Sequence, residues 1–106
     1  MSIGFFQFDN LIRQRVPFVL LSWECDLSDW YAGLEAEHLR RVCRDGRQVD
    51  QLLPELRRDL ISPVVLLCRD GIYSSKLAAE MGGQGFTNVF FVLGGLDQML
   101  KERGTR

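Results

Sequence analysis

Cys68 ends an apolar run, Pro63 to Leu67, and is followed by Arg69, Asp70, Gly71, Ile72 and Tyr73 and then by the pair Ser74-Ser75. A buried strand that ends in a thiol and turns through a one-glycine loop into a helix sets the sulfur against a helix N-terminus. Unpaired backbone N–H groups and the positive end of the helix dipole favour negative charge there. They therefore favour the nucleophilic thiolate over the thiol. Gly71 gives the loop from Cys68 to Tyr73 the positive-φ freedom to curl around the sulfur with its N–H groups inward. Ser74 or Ser75 suits the helix cap and offers a hydroxyl donor to the sulfur. Arg69 adds a fixed positive charge beside it.

The same junction serves other chemistries. A cysteine phosphatase grips its phosphate with an arginine six residues after the cysteine, and here that position is Ser74. A strand-end thiol can also simply pack as a small hydrophobe. Of the other two cysteines, Cys43 reads as a partly buried thiol, and so does Cys25, which lies just past a strand end within reach of the same crevice. Three cysteines without a C-x-x-C pair and a single histidine, His38, fit neither a disulfide framework nor a zinc site. His38 reads as a surface residue and Glu24 as solvent-facing. Trp23 and Trp30 suit either the core or the wall of a pocket.

The elements that must position Cys68 follow from hydrophobic patterning. Phe5 to Gln14 reads as a short strand or turn running into a small helix. Val16 to Leu21 is a six-residue apolar run of strand length. Asp26 or Ser28 suits the cap of a helix carrying Trp30, Tyr31 and Leu34. Glu35 to Val42 is charged, with Leu39 and Val42 at helical spacing, and Asp45-Gly46 marks a turn. Val49, Leu52, Leu53, Leu56 and Leu60 repeat with a helical period. Val64 to Leu67 is a strand buried on both faces, Ser74 to Met81 is helical, and Gly82, Gly83 and Gly85 stop that helix. Val89 to Leu93 is a further buried strand, and Gly94-Gly95 turns the chain into a last helix through Leu96, Met99 and Leu100. Apolar strands alternating with amphipathic helices predict one α/β domain over 1–106 with a parallel sheet. Ligands in such sheets bind at the carboxyl ends of the strands, where Cys68 and Gly94-Gly95 both fall.

Composition narrows the function classes. The formal net charge is −1 and the hydrophobic fraction 46%, ordinary for a globular domain and without the basic footprint of a nucleic-acid or anionic-membrane binder. The arginines at 40, 41, 44, 47, 57 and 58 are interrupted by acidic or apolar positions and read as solvated faces. No apolar run approaches the roughly 20 residues that span a bilayer, and the first residues lack the pattern of a secretory signal. A reducing, cytoplasmic setting is the expectation.

At this level of detail the chain resembles the rhodanese-like sulfurtransferases. Their active loop has the form Cys-x-x-Gly-x-(Arg/Ser/Thr)-Ser after a buried strand and at the opening of a helix. An alanine-containing helix, a Gly-aromatic turn, an apolar strand and a Gly-Gly pair follow. Here these are Cys68, Gly71 and Ser74, then Ala78-Ala79, Gly85-Phe86, Val89 to Leu93 and Gly94-Gly95, in order over 62–96. Outside that segment the chain departs from the family. Ser22-Trp23-Glu24 stands where an Asp-x-Arg is usual, and no Gly-His-Ile-(Pro)-Gly-Ala element occurs. The Met99-Leu100 region replaces the Trp that often follows the Gly-Gly pair. Tyr73 stands where a smaller or basic residue is common.

The resemblance implies a three-layer α/β domain with a central, mostly parallel sheet of four or five strands flanked by helices. It implies a sulfurtransferase that moves sulfane sulfur through a persulfide on Cys68, from a donor such as thiosulfate to a thiol or cyanide acceptor. Cys68 is then the catalytic nucleophile. Arg69, Asp70, Gly71, Ile72, Tyr73 and Ser74 form the substrate-binding cradle, and no metal or organic cofactor is required. The partners are a small sulfur donor and a thiol acceptor, a protein thiol included. Arg69 attracts an anionic donor and Asp70 repels it, so thiosulfate should be handled less well than by a loop with two basic residues. The alternative is a catalytically weak rhodanese-like module that binds or regulates a partner.

Overall fold

The computed structural model describes residues 1–104. In chain order the elements are β1 (Ser2–Ile3), α1 (Phe5–Arg13), β2 (Val19–Ser22), α2 (Gly33–Val42), β3 (Cys43–Asp45), a 3₁₀ turn (Gly46–Gln48), α3 (Val49–Leu56), β4 (Val64–Leu67), α4 (Ile72–Gly83), β5 (Val89–Val92) and α5 (Gly95–Gly104). The strands form one sheet in the order β1-β5-β4-β2-β3, and every pairing is parallel. The fold is therefore α/β with helices on both faces.

Alternation along the strands divides the core in two. Leu20, Val65 and Leu67 face α1, α2 and α5, where they meet Phe8, Ile12, Leu39, Val42 and Met99. Leu21, Val64 and Leu66 face α3 and α4, where they meet Val49, Ala78 and Met81. All four residues of β4 are at most 1% exposed, and burying each such side chain is worth about 1.5–3 kcal/mol. The strand that carries Cys68 is thus the most firmly held element of the sheet.

Several expectations need correction. No helix runs through Trp30 and Tyr31. Asp26 Oδ1 accepts from the Ser28 amide at 2.9 Å, which closes a turn instead, and α2 begins only at Gly33. Tertiary contacts decide this. Trp30 packs edge-on against Phe5 at 5.7 Å and lies under the Arg103 guanidinium, while the Tyr31 hydroxyl donates to Asp9 at 2.7 Å. Burial and then the Asp9 carboxylate push the Tyr31 pKa up, so the hydroxyl stays a donor. Residues 43–45 are an edge strand ahead of the predicted Asp45-Gly46 turn, and two residues at the N-terminus add β1. The helical period toward Leu60 outlasts α3, which ends at Leu56, although Leu60 still packs against that face. His38 is half-buried, its Nε2 donating to the Val16 carbonyl at 2.8 Å. The six arginines read as solvated are all exposed.

Candidate active site

The chain leaves β2 into α2 on one face and leaves β4 into α4 on the other. A crevice opens where neighbouring strands send their connections to opposite sides. Cys68 sits there, at the carboxyl end of β4 and 5% exposed. The adjoining register places Ser22 beside Leu67, and the Trp23 amide donates to the Leu67 carbonyl at 3.0 Å. Trp23 therefore leaves β2 right next to the thiol.

Helix α4 starts at Ile72, two residues before the predicted serine cap. Its N-cap position is Gly71, at φ +82°, with no side-chain cap. Asp70 does the local work of a cap, accepting from the Ile72 amide at 2.9 Å through Oδ1. Among the described residues, the amides of Asp70, Gly71, Tyr73 and Ser74 donate to no carbonyl or side chain. The last three are among the N–H groups that the first turn of a helix leaves for a ligand.

Ser74 is fully buried and lies inside the loop. The Cys68 thiol donates to Ser74 Oγ at 3.3 Å, and that hydroxyl donates to the Gly71 carbonyl at 3.3 Å. Ser75 points elsewhere, donating to the Ile72 carbonyl at 2.8 Å. The Asp70 carboxylate makes a longer contact with the sulfur, 3.8 Å. Arg69 turns away: it is largely exposed and pairs with Asp97 across 3.5 Å. Its charge is spent on α5 rather than on the sulfur. Ile72 is exposed on the outer side of the first turn.

The loop is held from below by Gly94-Gly95. The amides of Leu96 and Asp97 donate to the carbonyls of Cys68 and Arg69 at 3.0 and 2.9 Å. A Cβ on Gly71 would come within 2.9 Å of the Gly94 nitrogen. Side chains at Gly71 or Gly95 would separate the two backbones.

Beside the sulfur is a cavity of about 440 Å³ lined by Trp23, Glu24, Gly46, Arg47, Val49, Asp50, Cys68 and Tyr73. Trp23 and Tyr73 meet edge to face at 5.2 Å, and Gly46 lies under the fused bond of the indole. Trp23 thus walls the pocket, whereas Trp30 belongs to the far side of the α1 layer. The Gly46–Arg47 contribution escaped the sequence reading, because only the edge strand β3 brings the following turn to Cys68.

Cys25 and Cys43 are half-buried, and Cys25 does lie near the crevice. Its thiol donates to the Trp23 carbonyl at 3.3 Å and reaches the Leu67 carbonyl at 3.9 Å. Burial pushes its pKa from 9.0 up to about 11, and the nearby Cys68 adds to the rise. Iodoacetamide near neutral pH should leave Cys25 unmodified in the native protein, with labelling rising only as the pH climbs through that range, as peptide mapping would show. The raised value favours the neutral, folded-state thiol. Its contribution to stability is complete below pH 9.0 and is lost as pH rises through about 11.

No model of a known protein family matches the chain, and no curated protein matches it in sequence.

Proposed function

We propose that this protein is a rhodanese-like sulfurtransferase that carries sulfane sulfur on Cys68. One observation supports this above the others. A nearly buried thiol stands at a strand's carboxyl end, 3.3 Å from a buried hydroxyl in the first turn of a helix where the Tyr73 and Ser74 amides are unpaired. The Cys68 thiolate attacks the outer sulfur of a donor such as thiosulfate. The S–S bond of the donor breaks, sulfite leaves with the bonding pair, and Cys68 becomes a persulfide. An acceptor thiolate or cyanide then attacks the terminal sulfur and releases the Cys68 thiolate. The loop amides and Ser74 hold the negative sulfur as an oxyanion hole holds an alkoxide. Three free cysteines fit a reducing, cytoplasmic setting.

A second reading, a weakly catalytic binding or regulatory module, draws on the Asp70 carboxylate beside the sulfur and on the bulk of Tyr73. Intact mass distinguishes the two. After incubation with thiosulfate or an organic thiosulfonate anion (R–SO2–S−), which releases sulfite or sulfinate, the sulfurtransferase gains about 32 Da, loses it to cyanide, and gains nothing as Cys68→Ser. No adduct from any sulfane donor would leave the binding module as the function.

A further inference from the structure

The charges around the Cys68 cavity are lopsided. Glu24 and Asp50 line it, and Asp70 faces the sulfur. Arg47, the cation among its lining residues, is already engaged by Asp45, whose carboxylate accepts from Nε and Nη2 at 3.0–3.2 Å. Asp45 is held in turn by the Arg47 amide at 3.0 Å. Arg69 is turned onto Asp97. Two carboxylates of the lining, Glu24 and Asp50, with Asp45 and Asp70 beside them, therefore stand against one guanidinium. The remaining wall is aromatic and aliphatic: Trp23, Tyr73 and Val49.

A dianion such as thiosulfate meets repulsion from these carboxylates, and among the described residues that line the cavity no unpaired cation offsets it. An ammonium or guanidinium meets the opposite field, and the indole and phenol faces are surfaces on which such cations settle. Resting on the sulfur-transfer reading, we propose that the cavity selects cationic sulfur carriers: a thiol or persulfide with a positively charged group close to its sulfur. Glu24, Asp50 and the Trp23–Tyr73 wall are the specificity determinants.

The test uses the full chain and two small thiol reagents of equal reach, aminoethyl methanethiosulfonate, a cation, and sulfonatoethyl methanethiosulfonate, an anion. With either one the Cys68 thiolate attacks the sulfenyl sulfur, a mixed disulfide forms, and methanesulfinate leaves with the bonding pair. Rates are read on the Cys68 peptide by mass spectrometry and divided by those for free mercaptoethanol. At low salt the normalised preference for the cation should be about fivefold or more, and it should shrink as salt screens the rim. The double variant Glu24→Gln/Asp50→Asn should bring the ratio close to one without changing the fold, since both side chains are exposed. A normalised ratio of one or below in the native protein would overturn the proposal. Its failure is separable from that of the parent reading. A cation preference with no persulfide from any donor removes sulfur transfer, and persulfide formation without the preference removes only the selectivity.

Discussion

Gly95→Ala should be the most damaging single methyl in this protein. Gly95 has φ +63°, and a Cβ there would fall 2.3 Å from the Cys68 carbonyl oxygen, 2.6 Å from the Gly71 nitrogen and 2.8 Å from the Arg69 carbonyl carbon. Every one of those atoms is backbone, so no side chain can swing aside. The left-handed conformation alone costs an L-residue about 1–2 kcal/mol. Parting the two segments also weakens the bonds from the Leu96 and Asp97 amides to Cys68 and Arg69, each worth about 1 kcal/mol. The expected loss is about 3 kcal/mol, or about 15 °C in Tm for a domain of this size. Sulfur loading, measured well below the new midpoint, should fall about a hundredfold, because a displaced loop loses its alignment with the sulfur. Gly82→Ala is the matching control: a helical position with open space around its Cβ, expected to be neutral or slightly stabilising. Equal thermal shifts for the two variants would refute the argument.

The pattern of residues 62–96 carried the fold's central features because local and tertiary preferences coincide there. An apolar run buried on both faces has no alternative to a central strand, and glycines at 71 and 95 are demanded by one close backbone approach. The first half was less legible for physical reasons. β3 is Cys43-Arg44-Asp45, an edge strand too short and too polar to show a strand period in the sequence. β1 is too short to have a period. Residues 26–32 have helical composition, yet Phe5, Asp9 and Arg103 hold Trp30 and Tyr31 in a different backbone.

At the site, residue types were readable but directions were not. Arg69 and Ser74 are both near Cys68 in sequence, and nothing local tells which one turns toward the sulfur. The answer depends on Asp97, which α5 delivers to Arg69 from 28 positions later. The aromatic wall was equally hidden, since Trp23 and Tyr73 meet only because β2 and β4 pair in register.

Ser74 offers the sharpest separation of chemistry from stability. In the resting protein its hydroxyl accepts from the thiol and donates to the Gly71 carbonyl. Once the sulfur is anionic the thiol proton is gone, and the hydroxyl can turn its own proton to the sulfur. Gly71 does not lose satisfaction, because its carbonyl also accepts from the Ser75 amide at 3.1 Å. The switch therefore strands no buried polar group. Ser74→Ala removes the donor while leaving a good helix former in the first turn of α4. Stability should change by no more than about 1 kcal/mol, whereas the rate of persulfide formation should fall about a hundredfold, the scale of losing one donor to a developing anion. Ser75→Ala, whose hydroxyl serves the Ile72 carbonyl at the exposed edge of the helix, should load sulfur at the native rate. If Ser74→Ala loads as fast as the native protein, or if both serine variants slow equally, the anionic sulfur is not held by Ser74. The amides of the first turn of α4 would then have to stabilise it without the hydroxyl.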